Sequence, residues 1–248
     1  MVDLNKNVRY YDVTFECCCS VAFRILTELF NYAKSIFNCR RSTLNHLVNG
    51  GYIILADDES RENEGDLVAL GDNISADTVY EMLKEANGLM CVPVSEKIAD
   101  RLGFRPMVKH STDPNQTPFM VTADGSLSAT GVSAFDRAAT IRHIANPTAK
   151  ATDFNHPGHI QPLYAQPRGL RDRTGHTEAS VDLAYLAGKA PVAVIIEVLK
   201  DDGTMARRDD LAILAKRVQV PFITINQIIK YMDANGIDAA ADLTKVNA

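Results

Sequence analysis

The chain has 248 residues, 46% of them hydrophobic and 23% charged, which suits one large domain with a substantial core and excludes a disordered or collagen-like polymer. Its 31 acids against 26 bases leave a formal net charge of -5, and no block of five basic residues occurs, so no nucleic-acid partner is expected. Five cysteines, three of them adjacent at Cys17, Cys18 and Cys19, match no zinc spacing. With no signal peptide they point to a reducing cytoplasm.

The longest apolar segment runs from Phe15 to Phe37, but Arg24, Glu28 and Lys34 interrupt it. It reads as an extra surface helix, not a membrane span or a transit peptide. Residues 1–42 therefore form an N-terminal extension of unknown role, and residues 43–248 a catalytic domain. Tyr52 to Ala56 follows Gly50-Gly51 as a short buried strand, ending in an acidic loop. Ser75 caps a helix whose apolar face is Val79, Met82, Leu83 and Ala86. Met90 to Val94 is a strand, and Ser95 begins a helix that stops near Gly103. Phe104 to Gln116 is a loop. Phe119 to Ala123 is a strand, with a turn at Asp124-Gly125. Ser133 and Asp136 have the spacing of a capped helix start, and Ala134, Ala138, Ile141 and Ala145 share one face. Pro147 to Pro157 is a polar connection. Thr177 opens a helix that closes at Gly188, and Val192 to Leu199 is a nearly continuous apolar strand. Leu211 to Arg217 is helical, Pro221 to Ile225 is a strand, and a last helix runs from about Asn226. Strands and helices interleave, so the class is α/β or α+β, with helices packed on a sheet.

Five features carry chemistry. Six acids lie between Asp57 and Asp66, against the single Arg61. Such crowding is relieved by a hard cation, although a solvated acidic turn is the plain alternative. Arg173-Thr174-Gly175-His176-Thr177 stands at a helix start, where free N–H groups, a guanidinium and a hydroxyl make a phosphate cradle. His176 could bind a metal or move a proton; an N-cap with an incidental histidine is the alternative. Thr130-Gly131-Val132-Ser133 is a second anion-binding turn or ordinary capping. Glu197 lies in an apolar strand, where burial would raise its pKa and suit it to acid–base work, unless it faces water on an edge strand. His159, in Pro157-Gly158-His159-Ile160, and Cys91 have ordinary packing as their alternatives.

In this order the blocks resemble a known family. Asp57-Asp58-Glu59 with Arg61-Glu62-Asn63-Glu64-Gly65-Asp66-Leu67 is similar to the signature loop of the 3,4-dihydroxy-2-butanone 4-phosphate synthases. Thr130-Gly131-Val132-Ser133-Ala134 with Asp136-Arg137 resembles a second block, and Pro157-Gly158-His159 with Pro162-Leu163 a third. Gly175-His176-Thr177-Glu178-Ala179 and Asp201-Asp202-Gly203-Thr204-Met205-Ala206-Arg207 resemble a fourth and fifth. The likeness covers about Leu44 to Met232.

The resemblance implies an α+β fold in three α/β/α layers, a mixed twisted sheet flanked by helices. It implies a lyase of riboflavin biosynthesis that converts D-ribulose 5-phosphate to L-3,4-dihydroxy-2-butanone 4-phosphate and formate. One or two Mg²⁺ or Mn²⁺ ions are implied, with Glu62 and His176 as metal ligands. Arg61, Glu62, Asp66, Thr130, Arg173, Thr174, Gly175, His176, Thr177 and Glu197 match substrate contacts. His159, Glu197, Glu64 and Cys91 match catalytic positions. A cytoplasmic homodimer with active sites at its interface is implied, Thr130 being supplied across it, with a sugar phosphate as ligand and neither membrane nor nucleic acid as partner. The expectation is a monofunctional form, without the GTP cyclohydrolase II domain of bifunctional relatives. Ser60 stands where the family often has Asp, which bears on how the acidic loop closes, and Asn115 to Gly125 matches loosely. The alternative readings are another metal-dependent ketose-phosphate enzyme, such as an isomerase or aldolase, and a catalytically silent sugar-phosphate-binding homologue.

Overall fold

The computed structural model describes residues 43–242; the helix expected between Phe15 and Phe37 lies outside them. Seven strands form one mixed sheet: β1 (Tyr52–Ala56), β2 (Gly65–Leu70), β3 (Cys91–Val94), β4 (Ala123–Gly125), β5 (Phe154–Tyr164), β6 (Ala193–Glu197) and β7 (Phe222–Thr224). Their order is β4-β5-β3-β6-β2-β1-β7. β1/β7 and β3/β5 pair parallel; β1/β2, β2/β6, β3/β6 and β4/β5 pair antiparallel. Among the described residues, after the helical residues 43–48, six more helices pack on it: α1 (Ala76–Ala86), α2 (Glu96–Leu102), α3 (Ala134–Ala145), α4 (His176–Leu186), α5 (Arg208–Val218) and α6 (Ile225–Ala234).

The central strands are apolar on both faces because both faces are covered. Tyr52, Ile54, Leu67, Val92, Val194 and Ile196 pack with α1, α2, α3 and α5. Ile53, Leu55, Val68, Leu70 and Ile195 point the other way, against α4 and α6. This is the three-layer α+β arrangement the resemblance implied. At about 25 cal/mol per Å² of apolar surface removed from water, each of these buried side chains contributes on the order of 2 kcal/mol. Helix starts follow local chemistry: Ser75 Oγ accepts from the Thr78 N–H, and Ser133 Oγ from the Asp136 N–H. Gly103 ends α2 at φ 67°, a left-handed residue that costs glycine nothing.

Five readings need correction. β2 was not read, because four apolar residues directly after an acid cluster show no alternation; Asp66 therefore sits in a strand and not in the loop. The strand expected over Phe119 to Ala123 is displaced: Phe119 and Met120 make only isolated bridges. Asp124 and Gly125, read as a turn, pair with Asn155 and Phe154 in β4/β5. The polar connection ends early, since β5 begins at Phe154 with its exposed polar residues toward the rim. Glu197 is not on an edge strand, because β6 lies between β3 and β2.

Candidate active site

Register brings the chemistry to one end of the sheet. Ala56, the last residue of β1, pairs with Gly65, the first of β2. Asp66 pairs with Glu197 at the end of β6, and Cys91, the first residue of β3, faces Ile195 and Gln161. The loop between β1 and β2 closes this end.

That loop folds around Asp57, which is only 3% exposed. Its carboxylate accepts from the Glu62 N–H (3.2 Å), the Glu64 N–H (2.9 Å) and Arg61 Nη1 (2.9 Å). Asp58 Oδ1 accepts from both the Ser60 N–H (2.9 Å) and the Ser60 hydroxyl (2.6 Å), which holds the Asp58 carboxyl below its usual range. Ser60 thus takes part in closing the loop. The expected repulsion among six acids is met by donors from the loop itself.

Glu62 leads out of the loop toward α4. Its Oε2 lies 2.6 Å from Arg61 Nη1 and 3.9 Å from His176 Nδ1. His176 is the first residue of α4 and is buried; its Nε2 is buried without a partner. Burial lowers its pKa, outweighing the opposing pull of Asp57, Glu62 and a backbone hydrogen bond to Leu55, which favours the neutral imidazole that a metal needs. Ligand atoms of Asp57, Glu62 and His176 lie within 4.8 Å of one another. Asp57 accepts from three donors and Glu62 accepts from Arg61, and the three side chains together form a group that could hold a cation. A carboxylate oxygen with one imidazole nitrogen suits Mg²⁺ or Mn²⁺ with positions left for other oxygens.

Behind the pair lies a buried acid group. Burial pushes the Asp66 carboxyl well above the carboxylate range, reinforced by Glu197, Glu62, Glu64 and Asp57. Burial and then Glu62 raise Glu64 as well. Glu197 is half-buried, and its Oε2 accepts from the Leu89 N–H (2.8 Å). Burial, with Glu197 and Asp66 adding to it, also pushes the Cys91 thiol up, so it is protonated near neutral pH and not a ready nucleophile.

The start of α4 carries the cradle residues. Arg173 Nη1 bonds to Glu178 Oε2 (2.8 Å), which is fully buried, and Arg173 Nη2 donates to the Asn115 carbonyl (3.3 Å). Gly175 is the N-cap; a Cβ there would run into the Arg173 guanidinium. Thr177 is buried and Thr174 exposed.

A second group stands apart. His159 Nδ1 bonds to Asp124 Oδ2 (2.7 Å), and the His159 N–H donates to Asp124 Oδ1 (2.9 Å). Gly131 packs so close to both that a Cβ would not fit, and Thr130 beside it is exposed. Among the described residues no hydrogen bond or ion pair joins this group to Glu62 or His176. The sequence reading missed the roles of Asp57 and Asp124, and named Arg207 without one. Asp57 was hidden among equals in the acid run, and Asp124 by the turn reading. The reach of Arg207 to residue 62 is a tertiary fact with no local signal.

The family model for 3,4-dihydroxy-2-butanone 4-phosphate synthase matches residues 41–231. Riboflavin biosynthesis protein RibBA of Bacillus cereus (strain G9842) is 47% identical over 196 residues, which are 79% of this chain and 49% of that protein. RibBA of Bacillus mycoides (strain KBAB4) is 46% identical over the same length. The chain thus spans about half the length of the curated relatives it matches. A crystal structure of 3,4-dihydroxy-2-butanone 4-phosphate synthase in complex with two magnesium ions is 34% identical, with a TM-score of 0.75 over 79% of this chain and 97% of that one. The synthase of Candida albicans is 41% identical, with a TM-score of 0.71 over 77% of this chain and 96% of that one. Most of the chain is matched by the family model, and nearly the whole of two solved synthases is covered at 34% and 41% identity; the chain belongs to the 3,4-dihydroxy-2-butanone 4-phosphate synthase family.

Proposed function

We propose that the chain converts D-ribulose 5-phosphate to L-3,4-dihydroxy-2-butanone 4-phosphate and formate, with a divalent cation held by Glu62 and His176. The observation that carries this is the approach of Glu62 and a neutral, buried His176, whose Nε2 has no protein partner, beside Arg61 and Asp66. A cation bound there supplies Lewis-acid stabilisation where negative charge develops on vicinal sugar oxygens.

The chain's own groups account for the remaining work. The reaction removes a proton from C1, loses a hydroxyl as water, migrates a carbon, takes a water back at C4 and releases C4 as formate. Several positioned acids and bases are needed for this. Asp66, whose burial and acidic neighbours favour its protonated form, is a candidate donor to a substrate hydroxyl. Glu197 and Glu64 stand within the same electrostatic neighbourhood as candidate bases, and His159, steered by Asp124, is a candidate acid–base. The segment Arg173–Thr177 takes the phosphate, with the amides at the start of α4 and the Arg173 guanidinium fixing the substrate's orientation.

Thr130 and His159 reach a site through a homodimer in this reading. Leu127 (99% exposed), Val132 and Phe135 lie bare on the segment that carries Thr130, which is the apolar surface a second copy would cover. Residues 43–248 are the catalytic domain, residues 1–42 an extension, and the location is cytoplasmic; among the described residues no helix is long and apolar enough to cross a membrane. A formate assay on purified protein with D-ribulose 5-phosphate, with Mg²⁺ and with EDTA, tests the reaction. Metal-dependent formate is expected. Binding without formate would identify a silent homologue instead.

A further inference from the structure

The fifth sequence block has no part in the chemistry above, yet it makes a long-range contact. Beyond β6 the chain folds back on itself: Leu199 bridges Met205, and the Ala206 N–H donates to the Val198 carbonyl (2.9 Å). The return delivers Arg207, the N-cap of α5, to the acidic loop. Arg207 Nη1 donates to the carbonyls of Glu62 (2.9 Å) and Asn63 (2.5 Å), and lies 3.8 Å from Glu64 Oε1. Asn63 has a φ of 55°, in the left-handed region, and the two carbonyls flanking its Cα both accept from this one nitrogen.

The contact completes a clamp of opposite polarities. Asp57 accepts the amides of Glu62 and Glu64, and Arg207 donates to the carbonyls of Glu62 and Asn63. Glu62 is therefore pinned at both its N–H and its C=O, and only its side chain is left to serve the site. Asp57 belongs to the loop itself. Arg207 comes from 145 positions further along the chain. We propose that Arg207 is a positioning residue that fastens the acidic loop and so sets the Glu62 carboxylate at its spacing from His176. The inference rests on the reading of Glu62 as a cation ligand. Arg207 acts through the backbone carbonyls of Glu62 and Asn63.

Two readouts on the full chain test it. The first is hydrogen–deuterium exchange of the peptide spanning residues 57–66 in Arg207→Ala and Arg207→Lys. Exchange there rises in Arg207→Ala and partly recovers in Arg207→Lys, with the peptides of β1 and β6 unchanged. The second is Mn²⁺ affinity of the substrate-free protein, read by electron paramagnetic resonance. It falls about 10–100-fold in Arg207→Ala, the usual cost of losing a group that orients a ligand. Unchanged exchange in the loop overturns the fastening role. Faster exchange with wild-type Mn²⁺ affinity overturns the link from loop to cation. Glu62→Ala serves as the reference: if it binds Mn²⁺ as wild type does, the ligand reading has failed, and the exchange data alone still decide the role of Arg207.

Discussion

Two clusters share one end of the sheet, and they are built differently. The Glu62–His176 group is held by several partners: the buried Asp57 carboxylate, the solvent-exposed Arg207 guanidinium at the loop carbonyls, and α4, buried almost along its whole length. The His159–Asp124 group is a short bond on the outer strands, with the His159 side chain 47% exposed and Thr130 exposed beside it. A preorganised group can work as it stands, because its geometry is set before substrate arrives. An exposed dyad lacks the dry surroundings that strengthen its electrostatics. In the proposed homodimer the first group is the half complete within one chain, and the second is the half a partner copy would finish.

The largest effect should come from the complete half. Glu62→Ala removes the carboxylate nearest His176 while leaving Asp57 and the strands in place, so kcat/KM for formate release should fall by at least about 10³-fold, in the range of other lost catalytic-site groups. Thermal unfolding should barely move, since Glu62 lies in a part-exposed loop. Retained activity would remove Glu62 from the ligand set. The incomplete half gives a complementation experiment. Glu62→Ala and His159→Ala, each inactive alone, should recover about a quarter of wild-type activity when co-expressed. Random pairing makes half of the dimers mixed, and each mixed dimer carries one site with both residues intact if His159 serves its neighbour's Glu62. Inactive mixtures would put both residues to work in the same chain.

Much of this is legible in the amino-acid sequence alone. β1, α1 and α3 follow from a bounded apolar run and from the Ser75 and Ser133 caps, signals contained within a few residues. β2 was not legible, because a strand buried on both faces carries no alternation and its first residues look like the end of the acid loop. The candidate site divides along the same line. Glu62, Asp66 and His176 stand in words of the sequence that are rich in chemistry. Asp124 is one ordinary aspartate beside a glycine, and only its pairing across β4 and β5 makes it the partner of His159. Asp57 was read as one carboxylate among six; its role follows from being the one that burial forced to collect donors.

The rigidity of the complete half has its own weak point. α4 buries two carboxylates one turn apart. Glu178 holds Arg173, and Asp182 accepts the Leu170 N–H (2.9 Å) under a tight turn in which Gly169 leaves no room for a Cβ. Burial raises Asp182 from 3.8 to about 7, with Glu178 raising it further and Arg171 and the Leu170 amide opposing. Below about pH 4 the group is protonated in both the folded and the unfolded chain and contributes nothing to the balance. As pH climbs toward 7 the unfolded chain gives up its proton while the fold keeps it, so stability falls with rising pH across that window. At about 1.4 kcal/mol per pH unit the ceiling is on the order of 4 kcal/mol. Asp182→Asn cannot ionise and still offers an oxygen to Leu170, so its urea midpoint should decline less than that of the wild type between pH 4 and pH 8. Formate release should change little, because Arg173 keeps Glu178. Parallel declines in the two proteins would mean that Asp182 is ionised within the fold, and that this buried turn holds a charge and not a neutral acid.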